Sequence, residues 1–366
     1  CWVWFFKTRY IIYNMIYQKQ HKRQYLLHKK EYDAVYQDVM ETGLDANGPY
    51  TKLVQEQMKE VTGRKHVIMT MSGTASIAAA IYALDLFDKK VAVSSYNYVA
   101  CVNQYQALSK PHYIDCDEDT LLDVEKITND YDAVHLVNYW GNVIDYDRVK
   151  EKITGKIIID CSQSFGAKYN GQNDGFFGDI STFSFGGQKP VGTRGFTGAC
   201  ATDDDEIAHR IDCAINQGKA GENRELPIEM LGFRATPQEL QCGILSVGIK
   251  YWKEWKDKRS AIAKHIMSEL KNYPLRFFKA NEKCDPSYFK LGLETENRDH
   301  FLKYMQTNGV DAQIGFFDNF EKMWGENKPM PMTERLNTTS MSLPLSPFFT
   351  EQEVKTIIQT VKQYFG

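Results

Sequence analysis

The chain has 366 residues, of which 43% are hydrophobic and 25% charged, which excludes a disordered chain and exceeds what one ordinary core fills. Its net charge of −3 carries no domain-scale basic excess, so nucleic acid is not an expected partner. No run reaches the roughly 20 apolar residues of a membrane span.

The first 17 residues are aromatic and apolar but are interrupted by Lys7 and Arg9. No small-residue cleavage site follows, so a signal peptide is not expected. The chain opens on Cys1, and Met15 is a candidate start. The basic stretch Lys19 to Lys30 reads as a solvated arm in preference to a membrane-surface anchor, and residues 1–30 are taken as an N-terminal extension.

From residue 63 onward, short apolar runs alternate with helical patterns. Lys65–Met71 predicts a strand, Ser72-Gly73-Thr74 a turn and Ala75–Leu86 an Ala-rich helix. Strands are expected at Val91–Ser95, His112–Cys116, Asp132–Tyr139 and Lys156–Ser162, with helical or loop segments at Tyr98–Leu108 and Tyr146–Lys152. This order is that of an α/β fold with a mainly parallel sheet. Two closely spaced strands, Ile180–Phe185 and Thr197–Thr202, precede a helix over Asp204–Gln217 whose acidic start suits a helix N-terminus. A long helix is expected from Pro237 to about Ser260. The rest mixes helices (Ala261–Asn272, Arg298–Asn308, Glu351–Tyr364) with short strands such as Ser340–Pro344, an α+β pattern. The division expected is a large domain over 31–254 and a small one over 255–366, with the first forty or so residues packing near the small domain.

Eight cysteines stand at 1, 101, 116, 161, 200, 213, 242 and 284, none in a CxxC pair. Buried free thiols in a reducing cytoplasm are expected, with no disulfide and no metal site.

Three segments could carry chemistry. In residues 157–166 (IIIDCSQSFG), Asp160 closes a buried-looking strand, where it either caps the next element or meets a ligand cation. In residues 183–195 (FSFGGQKPVGTRG), Lys189 lies among glycines. It is either a surface lysine or, in an apolar pocket that disfavours its charge, a nucleophilic amine. In residues 71–80 (MSGTASIAAA), a small-residue turn opens a helix, either as a simple cap or as a phosphate cradle. No dinucleotide or Walker pattern occurs. Together, a phosphate cradle near 73, a carboxylate at 160 and a lysine 29 residues further on are what pyridoxal phosphate (PLP) needs.

With those segments the chain resembles the DegT/DnrJ/EryC1/StrS family of PLP-dependent sugar aminotransferases from about residue 30 onward. The resemblance is carried by METGLDANGPYTKLVQEQM (40–58), MSGTASIAAAIYAL, residues 94–120, IIIDCSQSFGAKYNGQNDGFFGDISTFSFGGQK (157–189) and SLPLSPFFTEQEV (342–354). It implies fold type I: a mixed, mainly parallel seven-stranded sheet with a smaller α+β C-terminal domain. It implies that Lys189 binds the cofactor covalently and shuttles a proton, and that Asp160 pairs with the pyridinium nitrogen. Gln163 would lie near the phenolic oxygen, Ser184 with Gly73, Thr74 and Ala75 would hold the phosphate, and Tyr98 would stack on the ring. The family's Gly-x-Asn-x-Arg element is replaced by residues 231–237 (LGFRATP), which lack the Asn; Arg234 there is either a phosphate or substrate contact or structural.

The activity implied is transfer of an amino group from glutamate to a nucleotide-linked keto-deoxysugar, with UDP- or dTDP-4-keto-6-deoxyglucose and a 4-amino-4,6-dideoxy product as the specific expectation. A sugar 3-aminotransferase or an aminohydroxybenzoate-synthase-like enzyme is the alternative, and a non-catalytic binding module the alternative of another class. Some members of the family are sugar dehydratases with a histidine in place of the lysine, and Lys189 argues against that activity. A cytoplasmic homodimer with its active site at the interface is implied.

Overall fold

The computed structural model describes residues 15–220, 227–315 and 318–366, so the expectations for residues 1–14 lie outside the described residues. Nine strands belong to the first two thirds: β1 (His66–Thr70), β2 (Lys90–Ser94), β3 (Lys110–Ile114), β4 (Ala133–Val137), β5 (Lys156–Asp160), β6 (Lys168–Tyr169), β7 (Gln172–Asn173), β8 (Ile180–Ser184) and β9 (Gly198–Thr202). Five follow: β10 (Arg276–Phe277), β11 (Cys284–Asp285), β12 (Leu291–Glu294), β13 (Gln313–Ile314) and β14 (Ser340–Leu343).

Seven strands form the main sheet in the order β1-β9-β8-β5-β4-β2-β3. β8, β5, β4, β2 and β3 pair in parallel, and β9 pairs antiparallel with both neighbours, which leaves it alone running backwards. The expected mixed, mainly parallel seven-stranded sheet is therefore present. β3 starts two residues earlier than its hydrophobic run suggests and takes in Pro111, which an edge strand tolerates.

Alternation along the strands sends side chains to two cores. Ile157 and Ile159 join one apolar cluster while Ile158 joins the other, so both sheet faces are covered. Each fully buried aliphatic side chain of this kind contributes roughly 1.5–3 kcal/mol. A third cluster joins the four-stranded sheet β10-β12-β14-β13 to helices 252–270, 298–307 and 351–365 through Ile266, Phe301, Met341 and Ile357.

Two expectations need correcting. The helical stretch after Pro237 breaks at Tyr251, giving Glu239–Lys250 and Trp252–Leu270, with no break near 260. Tyr251 is pinned there: its hydroxyl donates to Glu31 Oε1 (2.6 Å) and its ring stacks on Trp255. The first forty residues also divide. Ile16 bridges Val310 and joins the third cluster, as expected of a segment near the second sheet. Helix Lys29–Thr42 instead packs on helix 239–250 through Tyr32, Val35 and Val247.

Glu239 shows how helix 49–62 is seated. Its buried carboxylate accepts from the amides of Gly48 (2.9 Å), Tyr50 (2.5 Å) and Thr51 (3.2 Å), the orphan donors of that helix N-terminus.

Candidate active site

Except for Arg234, which lies between helices 205–215 and 239–250, the residues expected at the site lie at or just beyond a strand's carboxyl end or on a loop leading from one, where open α/β sheets bind ligands. Asp160 ends β5 and Ser184 ends β8. The Gly73 turn follows β1, and Tyr98 follows β2 as the residue preceding helix 99–108.

The β1 turn and β8 are locked together. A methyl group at Gly73 would sit 2.5 Å from Ser184 Cβ, so glycine is what lets the helix N-terminus reach that strand end. Ser72 caps helix 73–83 with its side chain, accepting the Ala75 amide at 3.1 Å. Ala75 therefore spends its N–H on the cap. Among the described residues, the amides of Gly73 and Thr74 have no acceptor, and together with the Ser184 hydroxyl they form a compact donor set at the positive end of a helix.

Asp160 is 2% exposed. One oxygen accepts the Ser162 amide at 2.7 Å and the other the Cys101 thiol at 3.4 Å. Burial, then the Asp160 charge, pushes the Cys101 thiol far up, so it stays a neutral donor. His135 lies fully buried on β4 and is held down to about 4 by burial, with Asp160 opposing. Its ring is neutral at ordinary pH. The carboxylate of Asp160 is thus surrounded by uncharged groups at close range, with Lys189 the cation within its field.

Gln163 is buried, and its Oε1 accepts the Trp140 amide at 3.1 Å. Trp140, just past β4, adopts φ 58, a left-handed conformation that a bulky residue rarely takes. Strain of this kind persists only where the surroundings over-determine it, and here the Gln163 bond and stacking on Phe278 at 6.0 Å do so.

Lys189 sits in a tight loop. Its amide donates to the Gly186 carbonyl (2.9 Å), and the loop is closed by Phe185 and Thr197 (2.8 Å) and by Thr193 and Phe185 (2.8 Å). The ammonium lies 5.5 Å from the Phe289 ring centre. Burial pulls it below the ordinary lysine value, while Asp160 and then Cys101 oppose that shift. A lysine depressed in this way carries more free amine at neutral pH and is a better nucleophile.

A cavity on one flank of Lys189 is lined by Gln18, His21, Arg259, Phe289 and Leu345, but not by Asp160 or Ser184. Gln18 staples its wall: Nε2 donates to the carbonyls of Phe289 (3.1 Å) and Leu345 (2.7 Å), and Oε1 accepts the Leu345 amide (2.6 Å). Lys290 stands next to it, pulled down to about 8 by burial and by Lys189, with Asp311 opposing.

Tyr98 is 52% exposed. Arg234 is exposed and bridges Asn216; the next residue, Ala235, accepts the Met71 amide at 2.8 Å, two residues before Gly73. The geometry therefore brings Lys189, Asp160, Ser184, Gly73, Thr74 and Gln163 to one edge of the sheet, with Tyr98 and Arg234 on flanking segments. Cys101, Trp140, Gln18 and Lys290 were not singled out in the sequence. A Gln next to a basic arm and a Trp before a glycine carry no distinctive pattern.

A half-buried lysine, a buried carboxylate and a glycine-seated donor set at the carboxyl edge of a mixed α/β sheet are the features that a PLP-binding site of aminotransferase type requires. Comparison with known proteins agrees: a model of the DegT/DnrJ/EryC1/StrS aminotransferase family matches residues 27–362, and the chain belongs to that family. It is a PLP-dependent sugar aminotransferase. It is similar to dTDP-3-amino-3,6-dideoxy-alpha-D-galactopyranose transaminase of Aneurinibacillus thermoaerophilus, 26% identical over 351 residues and covering 92% of this chain and 96% of that one. GDP-perosamine synthase of Vibrio cholerae is likewise 26% identical, over 90% of this chain and 95% of its own. Among solved structures, the fold matches S. venezuelae DesV with a TM-score of 0.88 at 24% identity, covering 94% of this chain and 96% of that one.

Proposed function

We propose that the protein moves an amino group from glutamate to a nucleotide-linked keto-deoxysugar, with a 4-keto-6-deoxyglucose on UDP or dTDP as acceptor and a 4-amino-4,6-dideoxy sugar as product. The observation that carries the reading is the Gly73–Ser184 contact at the same sheet edge as Asp160, on the strand that leads into the Lys189 loop, which fits a phosphorylated pyridine aldehyde. When bound, PLP supplies an electron sink that stabilises negative charge on the carbon beside the transferred nitrogen.

The chain's residues have separate tasks. Gly73 and Thr74 donate backbone N–H groups to the phosphate and Ser184 donates its hydroxyl. Asp160 holds the proton on the pyridine nitrogen; its own hydrogen bonds from Ser162 and Cys101 fix its orientation. Lys189 would hold the cofactor through its free amine and would move a proton at the substrate carbon. Gln163, held by Trp140, is placed for the phenolic oxygen, and Tyr98 for the ring face. Arg234, one residue from the Met71 contact, is assigned a phosphate of cofactor or substrate.

The division into a large domain over 31–254 and a small one over 255–366 is part of this reading, as is a cytoplasmic homodimer with the site at its interface. Met71 (46% exposed), Phe196 (73%) and Leu231 (72%) support the dimer, being exposed apolar side chains on the segments that flank the Gly73 turn. Among the described residues no helix is long and apolar enough to cross a membrane. A second reading, amination at C3, is favoured by the 3-amino sugar named for the Aneurinibacillus relative. The test is incubation with glutamate and a panel of UDP- and dTDP-linked 3-keto and 4-keto 6-deoxysugars, with NMR of the product. Nitrogen at C4 supports the first reading, nitrogen at C3 replaces it with the second, and no turnover of any nucleotide sugar overturns both.

A further inference from the structure

Away from the cofactor region, helix 205–215 and the segment returning toward helix 239–250 bring three potential metal ligands together. His209 and Cys213 are one helical turn apart and so share a face. Glu229 arrives from the returning segment, which is tied to the end of that helix by backbone bonds from Glu229 to Gly218 (2.8 Å), Phe233 to Ala214 (2.7 Å) and Ala235 to Ile215 (2.9 Å). His209 Nε2 lies 2.7 Å from Glu229 Oε2 and 3.5 Å from Cys213 Sγ, and the three ligand atoms all fall within 4.8 Å of one another.

We propose that His209, Cys213 and Glu229 form a zinc site. A tetrahedral zinc ion holds nitrogen and oxygen ligands at about 2.0–2.2 Å and thiolate sulfur at about 2.3 Å, which sets its ligands roughly 3.3–3.7 Å apart. The Cys213–His209 separation already has that value. The His209–Glu229 pair is at hydrogen-bond length and needs to open by less than about 1 Å to admit the ion.

The donor chemistry favours zinc over the hard cations. One imidazole nitrogen, one thiolate and one carboxylate oxygen form a mixed, borderline-soft set that calcium and magnesium do not select. On binding, the Cys213 thiol gives up its proton to solvent and a Zn–S bond replaces the S–H bond; His209 binds through Nε2 and keeps its remaining proton on Nδ1. Thiolate and carboxylate together balance the 2+ charge, and water completes the fourth position. Glu206 and Asp212, whose charges act on both His209 and Cys213, add to the negative field, with Arg210 countering it at the thiol.

The consequence is a staple. The ion would fix the helix to the segment that leads on through Leu231 to Arg234 and helix 239–250, adding to the backbone bonds and to the apolar packing of Met230, Phe233 and Ala235 on that helix. The expectation of no metal rested on the lack of a CxxC pair. The pattern found here is a His-x-x-x-Cys helical turn, with its third ligand sixteen residues further on and joined to it only by folding.

Cobalt(II) titration of chelator-treated holoprotein, read as difference spectra, tests the assignment. One cobalt per chain, a thiolate-to-metal charge-transfer band and displacement by zinc are expected. Cys213→Ser should lose the band, and His209→Ala, at an exposed position that the fold does not need, should weaken cobalt binding by about tenfold or more. Absence of the band in the unmodified protein overturns the site, as does a band that persists in Cys213→Ser or an affinity unchanged in His209→Ala.

Discussion

The two flanks of Lys189 are built in different ways. On the sheet side, the site is made of backbone and short side chains at strand ends: Gly73 against Ser184, and Asp160 receiving Ser162 and Cys101. On the other side, residues from the N-terminal segment, the β11–β12 region and the stretch after β14 meet through Gln18, and Arg259 and Lys290 bring cationic groups there. The first flank is a rigid socket whose chemistry suits a fixed cofactor. The second is assembled from segments far apart in the chain and carries the charge that suits an anionic substrate. A constant chemistry and an adjustable specificity are thus separated across one lysine.

This contrast can be broken most sharply at the lysine itself. Lys189→Ala should lower amino transfer by ~10³-fold or more, since both the covalent link and the proton shuttle go, while the fold survives. Steady-state turnover with circular dichroism as the folding control checks it.

The next effect belongs to the sheet side. His135 is held neutral in the fold at about 4, against 6.5 for the free group. Between those values the unfolded chain carries a proton that the folded chain lacks, so stability should fall as pH drops from about 6.5 toward 4, by roughly 3 kcal/mol at most. Denaturant midpoints across that range should show the slope, and His135→Leu should flatten it.

Gly73→Ala forces a methyl group onto Ser184 Cβ and should destabilise by about 1–3 kcal/mol while weakening PLP binding, measured by melting and by cofactor titration. Gln18→Ala, on the other flank, strips partners from the buried Leu345 amide and from two carbonyls. It should destabilise by ~1–2 kcal/mol and raise the KM for substrates while leaving PLP affinity near its original value. A Gln18 variant that loses the cofactor, or a Gly73 variant that keeps it and loses only substrate, would erase the distinction between the two flanks.

The same contrast explains what the sequence disclosed. Strand runs such as residues 156–160 and the Ala-rich helix after Gly73 are local patterns, so the sheet and the positions of Asp160, Ser184 and Lys189 were readable within a residue or two. The role of Gly73 was visible as a turn, but the reason for glycine, a close approach to Ser184, exists only in three dimensions. That Ser72 takes the Ala75 amide, leaving Gly73 and Thr74 as donors, depends on one rotamer. The break at Tyr251 has no proline to announce it, and it is held by Glu31 from 220 residues away. Gln18, Trp140 and Lys290 are set by long-range contacts and had no periodic or motif signal.

The central claim is that Lys189 carries the cofactor. Loading the protein with PLP, reducing it with borohydride to fix any lysine–cofactor linkage, and mapping the modified peptide by mass spectrometry tests this directly. A single pyridoxyl group on Lys189, absent from Lys189→Ala, is the expected result. A modification on Lys290 or another lysine, or none at all, would contradict it.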